Sequence, residues 1–290
     1  MTLSERAATG TLEEGNLAQV PPGSARSILL TILGELVRHD QEPVWTSSLL
    51  YVLEGMGFEE RTARQAINRG ATAGWIKGNR TGREVRWELA DEGRRLIEQG
   101  IVRLGSVGTQ EHAWDGRWLT LIISVPQSQR KVRKKLYGAL RWAGFGNPAP
   151  GVWLTPHLDR EDEALSIIKE LELSASTLSF SGPTRAIGLS DQQIVGNAWN
   201  LEDTAQAYES LIARYSKVVP HGADELLFTH LALVNEWQRI PFMDPQLPTE
   251  LMPDWAGAKA SELVSSLRAE WTQPARARWQ EICRKDPAAG

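Results

Sequence analysis

Arg61, Arg64, Gln65, Asn68 and Arg69 fall within nine residues and can all hydrogen-bond to base edges or phosphates. Arg can take guanine through two parallel donors, and Asn or Gln can do the same for adenine. Arg80 and Arg83 follow in Asn79-Arg80-Thr81-Gly82-Arg83. A tight turn there would put two guanidiniums at its tip, within reach of phosphates or a minor groove. From Arg61 to Arg86 the chain holds seven Lys or Arg and one acid, a local charge of +6 on a chain of net charge −4. A basic island on an acidic protein points to a polyanionic partner, and double-stranded DNA suits these side chains.

Those residues need a helix and a hairpin to position them. Ala63, Ala66, Ile67 and Gly70 recur at i, i+3, i+4 and i+7, which predicts a helix with a narrow apolar stripe. Arg61, Arg64, Gln65, Asn68 and Thr72 lie on its opposite face. Gly70 weakens such a helix by about 1 kcal/mol relative to alanine. Gly74–Lys77 and Val85–Glu88 read as two strands around the basic turn. Upstream, Ser24 is placed to cap a helix over Ser27–Val37, and Ser47 or Ser48 to cap one over Leu49–Glu54, after a short strand or turn at Val44–Thr46. Asp91–Gly100 reads as a closing helix. Helix plus basic wing is the logic of a winged helix-turn-helix over residues 24–105. The alternative is a solvated helix followed by an ordinary hairpin. Residues 1–23, punctuated by Gly and Pro, are expected to form a disordered tail.

A second unit is expected over residues 106–190. Trp118–Val125 is an apolar strand, followed by a helix from Ser128 to Ala143 that Gly144-Phe145-Gly146 terminates. Val152–Pro156 is a second strand, Asp162–Leu173 a second helix, and Ser176–Ser181 a third strand. The order β-α-β-α-β suggests a ferredoxin-like sandwich. Arg130, Lys131, Arg133, Lys134 and Lys135 give its first helix a basic face, which either touches DNA or is a solvated surface. Residues 191–290 are expected to be mostly helical, with helices over Leu201–Val219, Ala223–Arg239 and about Ala258–Trp271. Between the last two, four prolines from Pro241 to Pro253 exclude regular structure, although the apolar residues among them should pack. The expected fold class is therefore α+β and multidomain, which 290 residues can accommodate.

Other chemistries find little support. His39, His112, His157, His221 and His230 show no metal-triad spacing. His221 and Asp224 are neighbours in sequence, which a loop and helix cap explain. No Gly-rich phosphate loop occurs, so no cofactor is expected. The single Cys283 excludes an intramolecular disulfide framework and suits a reducing, cytoplasmic setting. No apolar run nears the roughly 20 residues needed to span a bilayer, and Met1–Glu5 does not resemble a secretory signal, so no membrane partner is expected. Twelve Trp are spread along the chain, as core or interface anchors would be.

Three stretches resemble the PaaX family of bacterial repressors of phenylacetic acid catabolism. The first is Ser24-Ala25-Arg26-Ser27 followed by Arg64–Trp75. The second is Trp114-Asp115-Gly116-Arg117-Trp118 with Gly144-Phe145-Gly146 and Gly151–Pro156. The third and most specific runs from Arg239 through Asp244-Pro245-Gln246-Leu247-Pro248 to Leu251–Gly257. The resemblance implies a winged-helix start, a Cas2-like middle domain and a non-enzymatic, homodimeric repressor that binds a DNA operator. It also implies release by a small-molecule effector, an aryl- or acyl-CoA thioester and phenylacetyl-CoA above all; the alternative is a repressor that responds to a different aromatic ligand. Such a ligand needs cations for its phosphates and aromatic rings for its aryl group. Trp237, Arg239, Phe242 and Trp255 gather both types, and Arg185 is a further cation. The alternative is that these residues fold the proline-rich segment onto its helices. A Cas2-like middle domain also raises a metal-dependent nuclease using Asp115, against which stands a turn role for an isolated Asp.

Overall fold

The structure, a computed structural model, describes residues 23–39, 42–82, 84–105, 113–240 and 243–284. The chain makes two compact units, each from separated stretches. One comprises the described residues up to Leu104, Arg214–Arg239 and those from Glu262 on; the other comprises those of Gly105–Ala213 and Ile240–Ser261.

Helix α1 (Ala25–Glu35) starts where the Ser24 side chain accepts the Ser27 N–H at 3.2 Å. It is apolar nearly all round, so it is enclosed: Leu29, Ile32 and Leu33 are wholly buried. Strand β1 (Val44–Trp45), helices α2 (Thr46–Gly55) and α3 (Glu60–Thr72), and the hairpin β2 (Ile76–Thr81) and β3 (Glu84–Leu89) follow. The three strands form an antiparallel sheet in the order β1-β3-β2. Neither Ser47 nor Ser48 caps α2: the N-cap is Trp45, without a side-chain bond. Thr46 anchors that end instead, its hydroxyl donating to the Val85 carbonyl and accepting from Trp87 Nε1. Helix α4 (Asp91–Gly105) then crosses close over Trp75.

In the second unit β4 (Trp118–Ile123), α5 (Arg130–Trp142), β5 (Gly146–Ala149), β6 (Val152–Thr155), α6 (Glu161–Glu170) and β7 (Thr177–Gly182) form a four-stranded antiparallel sheet in the order β5-β6-β4-β7. This βαββαβ connectivity is the ferredoxin-like arrangement. It has one strand more than the sequence suggested. Gly146 reads, with Gly144 and Phe145, as a helix terminator, but it opens β5, an edge strand, where it and Pro148 are tolerated. Strand alternation sorts the side chains. Leu119, Leu121, Ile123 and Trp153 meet Leu136 and Leu140 of α5 and Ile168 of α6, whereas Trp118 and Leu154 turn to a second cluster. That cluster includes Ile194 and Val195 of α7 (Asp191–Ala198), a helix opened by a Ser190–Gln193 capping box. A Cβ at Gly146 would lie 2.5 Å from the Trp199 ring, so only glycine lets β5 approach this closely. Helix α8 (Leu201–Tyr215) belongs to this unit through Ala213.

Helix α9 (Ala223–Trp237) returns to the first unit, placing Leu227 and Leu231 in its core. Asp224 does not cap it; Gly222 is the N-cap, and Asp224 pairs with Arg278 at 2.8 Å. The proline-rich segment is irregular but packed, with Leu247 and Leu251 buried. Its hub is Asp244, which accepts from Tyr208 Oη at 2.5 Å, Trp255 Nε1 at 2.9 Å and the Gln246 N–H at 2.6 Å. His157 Nε2 lies 2.9 Å from the Gln246 carbonyl, so that nitrogen carries the proton. Helix α10 (Ala256–Arg284) runs well past Trp271, through Pro274. Proline removes one backbone bond there. Trp271, Ala275, Trp279 and Ile282 nonetheless continue one buried stripe, and the last three join the first unit's core.

The fold is thus mixed α+β, with two antiparallel sheets among the described residues. Among these residues no helix is long and apolar enough to cross a membrane.

Candidate nucleic-acid interface

Helix α3 separates its two faces cleanly. Ala63, Ala66, Ile67 and Gly70 are buried, while Arg61, Arg64, Gln65, Asn68, Arg69 and Thr72 are exposed. The small buried residues let the helix lie close to α1: a Cβ on Gly70 would stand 3.0 Å from Leu29 Cδ2. A side chain here would press on that methyl, and the helix runs as far as Thr72 despite the propensity cost of glycine. Arg64 is held by Glu60 one turn earlier, at 2.7 Å, with both side chains more than half exposed. Such a pair is worth only about 0.3–0.5 kcal/mol and yields readily to a better anion.

The hairpin differs in detail from expectation. Asn79, Arg80 and Thr81 belong to strand β2, and Thr81 pairs with Glu84 at the start of β3. Gly82 adopts φ +62°, a conformation glycine supplies without strain. Arg80 is exposed one pair below the tip, opposite Val85. Arg83 lies outside the described residues. Lys77 and Asn79 both reach Glu88, at 3.8 and 3.3 Å, which offsets part of the hairpin's charge. Arg86 is committed to the fold: its guanidinium lies 4.8 Å from the Trp45 ring centroid and donates to the Pro43 carbonyl.

One cation beside α3 was not foreseen from the sequence. Arg26, at the second position of α1, rests its guanidinium 4.4 Å from the Trp75 ring centroid. Burial, and after it the nearby charge of Arg69, lowers the Arg26 pKa. The only sequence signal was Arg26 itself, a charged residue opening an apolar helix.

The residues proposed for an effector are distributed over both units. Trp237 is buried in α9 and Arg239 is exposed just beyond it, both in the first unit. Arg185 is exposed between β7 and α7, and Trp255 is half-buried, edge-on to Tyr208 at 5.7 Å, both in the second. Phe242 lies outside the described residues. On α5, Arg130, Lys131, Lys134 and Lys135 are exposed, whereas Arg133 donates to the Val125 carbonyl. Asp115 accepts the Arg117 N–H at 2.9 Å beside Gly116 at φ +78°, the geometry of an Asx turn. Among the described residues no three His, Cys, Asp or Glu gather as a metal site would require.

Residues 24–93 match the family model for a PaaX-like protein. Residues 111–194 match that for the PaaX protein central Cas2-like domain, and residues 199–281 that for the PaaX-like protein C-terminal domain. The transcriptional repressor PaaX of Escherichia coli (strain K12) is 30% identical over 259 residues, 85% of this chain and 80% of that protein. A solved structure, the uncharacterized protein Rv0674 from Mycobacterium tuberculosis, superposes with a TM-score of 0.61 at 22% identity. The match covers 88% of this chain and 98% of that one, and it is a likeness of fold.

Proposed function

The chain belongs to the PaaX family, and from that premise we propose that it is a transcriptional repressor whose N-terminal region is a winged helix-turn-helix. Helix α3 is the recognition helix. It lies in the major groove, where Arg61, Arg64, Gln65, Asn68 and Arg69 meet base edges and flanking phosphates. Arg80 and Arg83 of the hairpin wing contact the backbone or the minor groove. The observation that carries this reading is the sorting of α3 into a buried small-residue stripe and an exposed Arg, Gln and Asn face.

The repressor acts as a homodimer. Two recognition helices about 34 Å apart fit successive major grooves and call for a palindromic operator. An aryl- or acyl-CoA thioester, phenylacetyl-CoA first among them, releases it. Arg185, Trp237, Arg239, Phe242 and Trp255 are the candidate contacts for the effector's phosphates and aryl group. The effector need only prefer the DNA-incompetent state, and 100-fold preference supplies about 2.7 kcal/mol of bias. The protein is a regulator and not a catalyst; the turn role of Asp115 argues against a nuclease.

A mobility shift with the DNA upstream of the protein's own gene, with and without phenylacetyl-CoA, tests the reading. A shift abolished by the thioester supports repressor and effector together. A shift the thioester leaves intact keeps the repressor and rejects this effector. No shift at low salt, where phosphate contacts are strongest, overturns the proposal.

A further inference from the structure

Arg26, Trp75 and the last turn of α3 converge on one place in the first unit. Trp75 is buried, and its Cε3 lies 3.6 Å from where a Cβ on Gly70 would stand. Arg26 stacks on the same indole, 4.4 Å from the ring centroid. Arg69 immediately precedes Gly70, is exposed, and acts electrostatically on Arg26. The Arg26 Nε is buried without a hydrogen-bond partner. Among the described residues neither Arg26 nor Arg69 has a carboxylate partner. Arg26 rests on the Trp75 ring and the α3 backbone next to Arg69 packs against that same ring, so two like charges come from elements that meet at one indole; like charges repel, and an anion reverses that repulsion. Two planar forks delivered from different helices suit a phosphate, which offers several acceptor oxygens.

We infer that Arg26 and Arg69 together hold one phosphate of the DNA backbone beside the bases that α3 reads, with Trp75 as the platform that fixes Arg26. This rests on the reading of α3 as the recognition helix. It separates a sequence-reading part of α3 from a clamp at its C-terminal end that sets register and carries no base preference. Arg26 is half-buried and stacked, so it enters the complex with little rotamer freedom left to lose.

The test measures affinity of the full chain for its upstream operator and for an unrelated duplex between about 50 and 200 mM salt. Removing one protein–phosphate interaction lowers the slope of log K against log salt by about 0.9. Arg26→Ala is expected to lower the slope by that amount per protomer and to weaken both duplexes equally. Arg69→Ala, at an exposed position, does the same if Arg26→Ala folds poorly. The double variant falls little below either, because both serve one phosphate. Arg26→Lys keeps the slope but binds more weakly, since an ammonium lacks the fork. Normal wild-type binding with an unchanged slope in Arg26→Ala overturns the clamp alone, and a double variant whose slope falls by twice as much overturns the shared phosphate. Wild type that binds neither duplex overturns the clamp and the repressor reading together. Coenzyme A titrated without DNA separates the sources of phosphate. Loss of its binding in Arg26→Ala, with the DNA slope intact, assigns the pair to a small ligand and overturns the DNA assignment.

Discussion

Arg268 donates from Nη2 to both carboxylate oxygens of Glu35, at 2.8 and 3.0 Å. Glu35 ends α1 and is buried, and His230 Nε2 of α9 lies 3.3 Å from its Oε2. Arg276 donates to its backbone carbonyl, so one residue ties α1 to α9 and α10. Burial alone would raise the Glu35 pKa; the His230 hydrogen bond and the Arg268 charge outweigh it and hold the carboxyl below its ordinary value. A group with a lowered folded pKa stabilises the fold above its unfolded pKa, and that contribution is lost as pH falls through the folded value. Urea midpoints are therefore expected to fall below about pH 4.3, and to fall less steeply in Glu35→Gln. Equal pH dependence in the two proteins would remove this assignment. Glu35→Ala, which leaves Arg268 without its partner, is expected to cost about 3 kcal/mol at neutral pH.

A Cβ on Gly93 would stand 2.2 Å from the Trp75 carbonyl oxygen, a backbone atom that also accepts from the Ala90 N–H at 3.0 Å. Helix α4 would have to lift off the Trp75 backbone to admit it. Gly93→Ala is expected to lose about 2–3 kcal/mol through overpacking. Gly138 in α5 has nothing within 4 Å of its Cβ position. Gly138→Ala is expected to gain up to about 1 kcal/mol from helix propensity. Thermal unfolding of both variants checks the contrast, and a stabilised Gly93→Ala would show that the approach is not rigid.

The two substitutions differ for a reason that also governs what the sequence discloses. Both glycines interrupt a helical pattern, and only the tertiary neighbour tells them apart. Helix α3 was legible because Ala63, Ala66, Ile67 and Gly70 recur at helical spacing, and burial of that stripe exposes the Arg face. Strand β5 was not, since Gly146 and Pro148 are breakers in local terms and are tolerated only at an edge. The extension of α10 was hidden by Pro274, whose local cost is outweighed by packing at Ala275, Trp279 and Ile282. The capping box at Ser190 and Gln193 is a local signal for α7 that the sequence does carry. At the interface, residue type did not separate Arg86 from Arg80. Arg86 meets Trp45 across the sheet, a pairing fixed by register rather than by sequence distance.

Asp244 accepts three donors, from Tyr208, Trp255 and the Gln246 backbone, while only 8% exposed. Asp244→Ala removes that acceptor from all three, and a buried donor that loses its acceptor costs about 1–3 kcal/mol. A loss above about 3 kcal/mol is expected. Tyr208→Phe removes one donor and leaves the carboxylate two others, so about 1 kcal/mol is expected. Urea denaturation followed by tryptophan fluorescence measures both. Equal losses would mean that Asp244 holds the segment through Tyr208 alone.

Glu60 is the one acid on the exposed face of α3, and it holds Arg64 at 2.7 Å. In the free protein the pair positions the guanidinium; beside DNA the carboxylate also repels phosphates. Glu60→Ala removes a favourable first-turn acid, which costs about 0.3–1 kcal/mol of stability. It also frees Arg64 and raises the positive charge of the face. Operator binding is expected to tighten several-fold, and non-specific binding to tighten with it, because the repulsion removed is blind to sequence. Arg64→Ala is expected to act oppositely and selectively, weakening the operator by roughly 1–3 kcal/mol if its fork reads a guanine. Anisotropy titrations on the operator and on an unrelated duplex distinguish the two effects. If Glu60→Ala weakens the operator while leaving the unrelated duplex unchanged, Glu60 is orienting Arg64 toward a base, and the pair is part of the recognition surface rather than a brake on it.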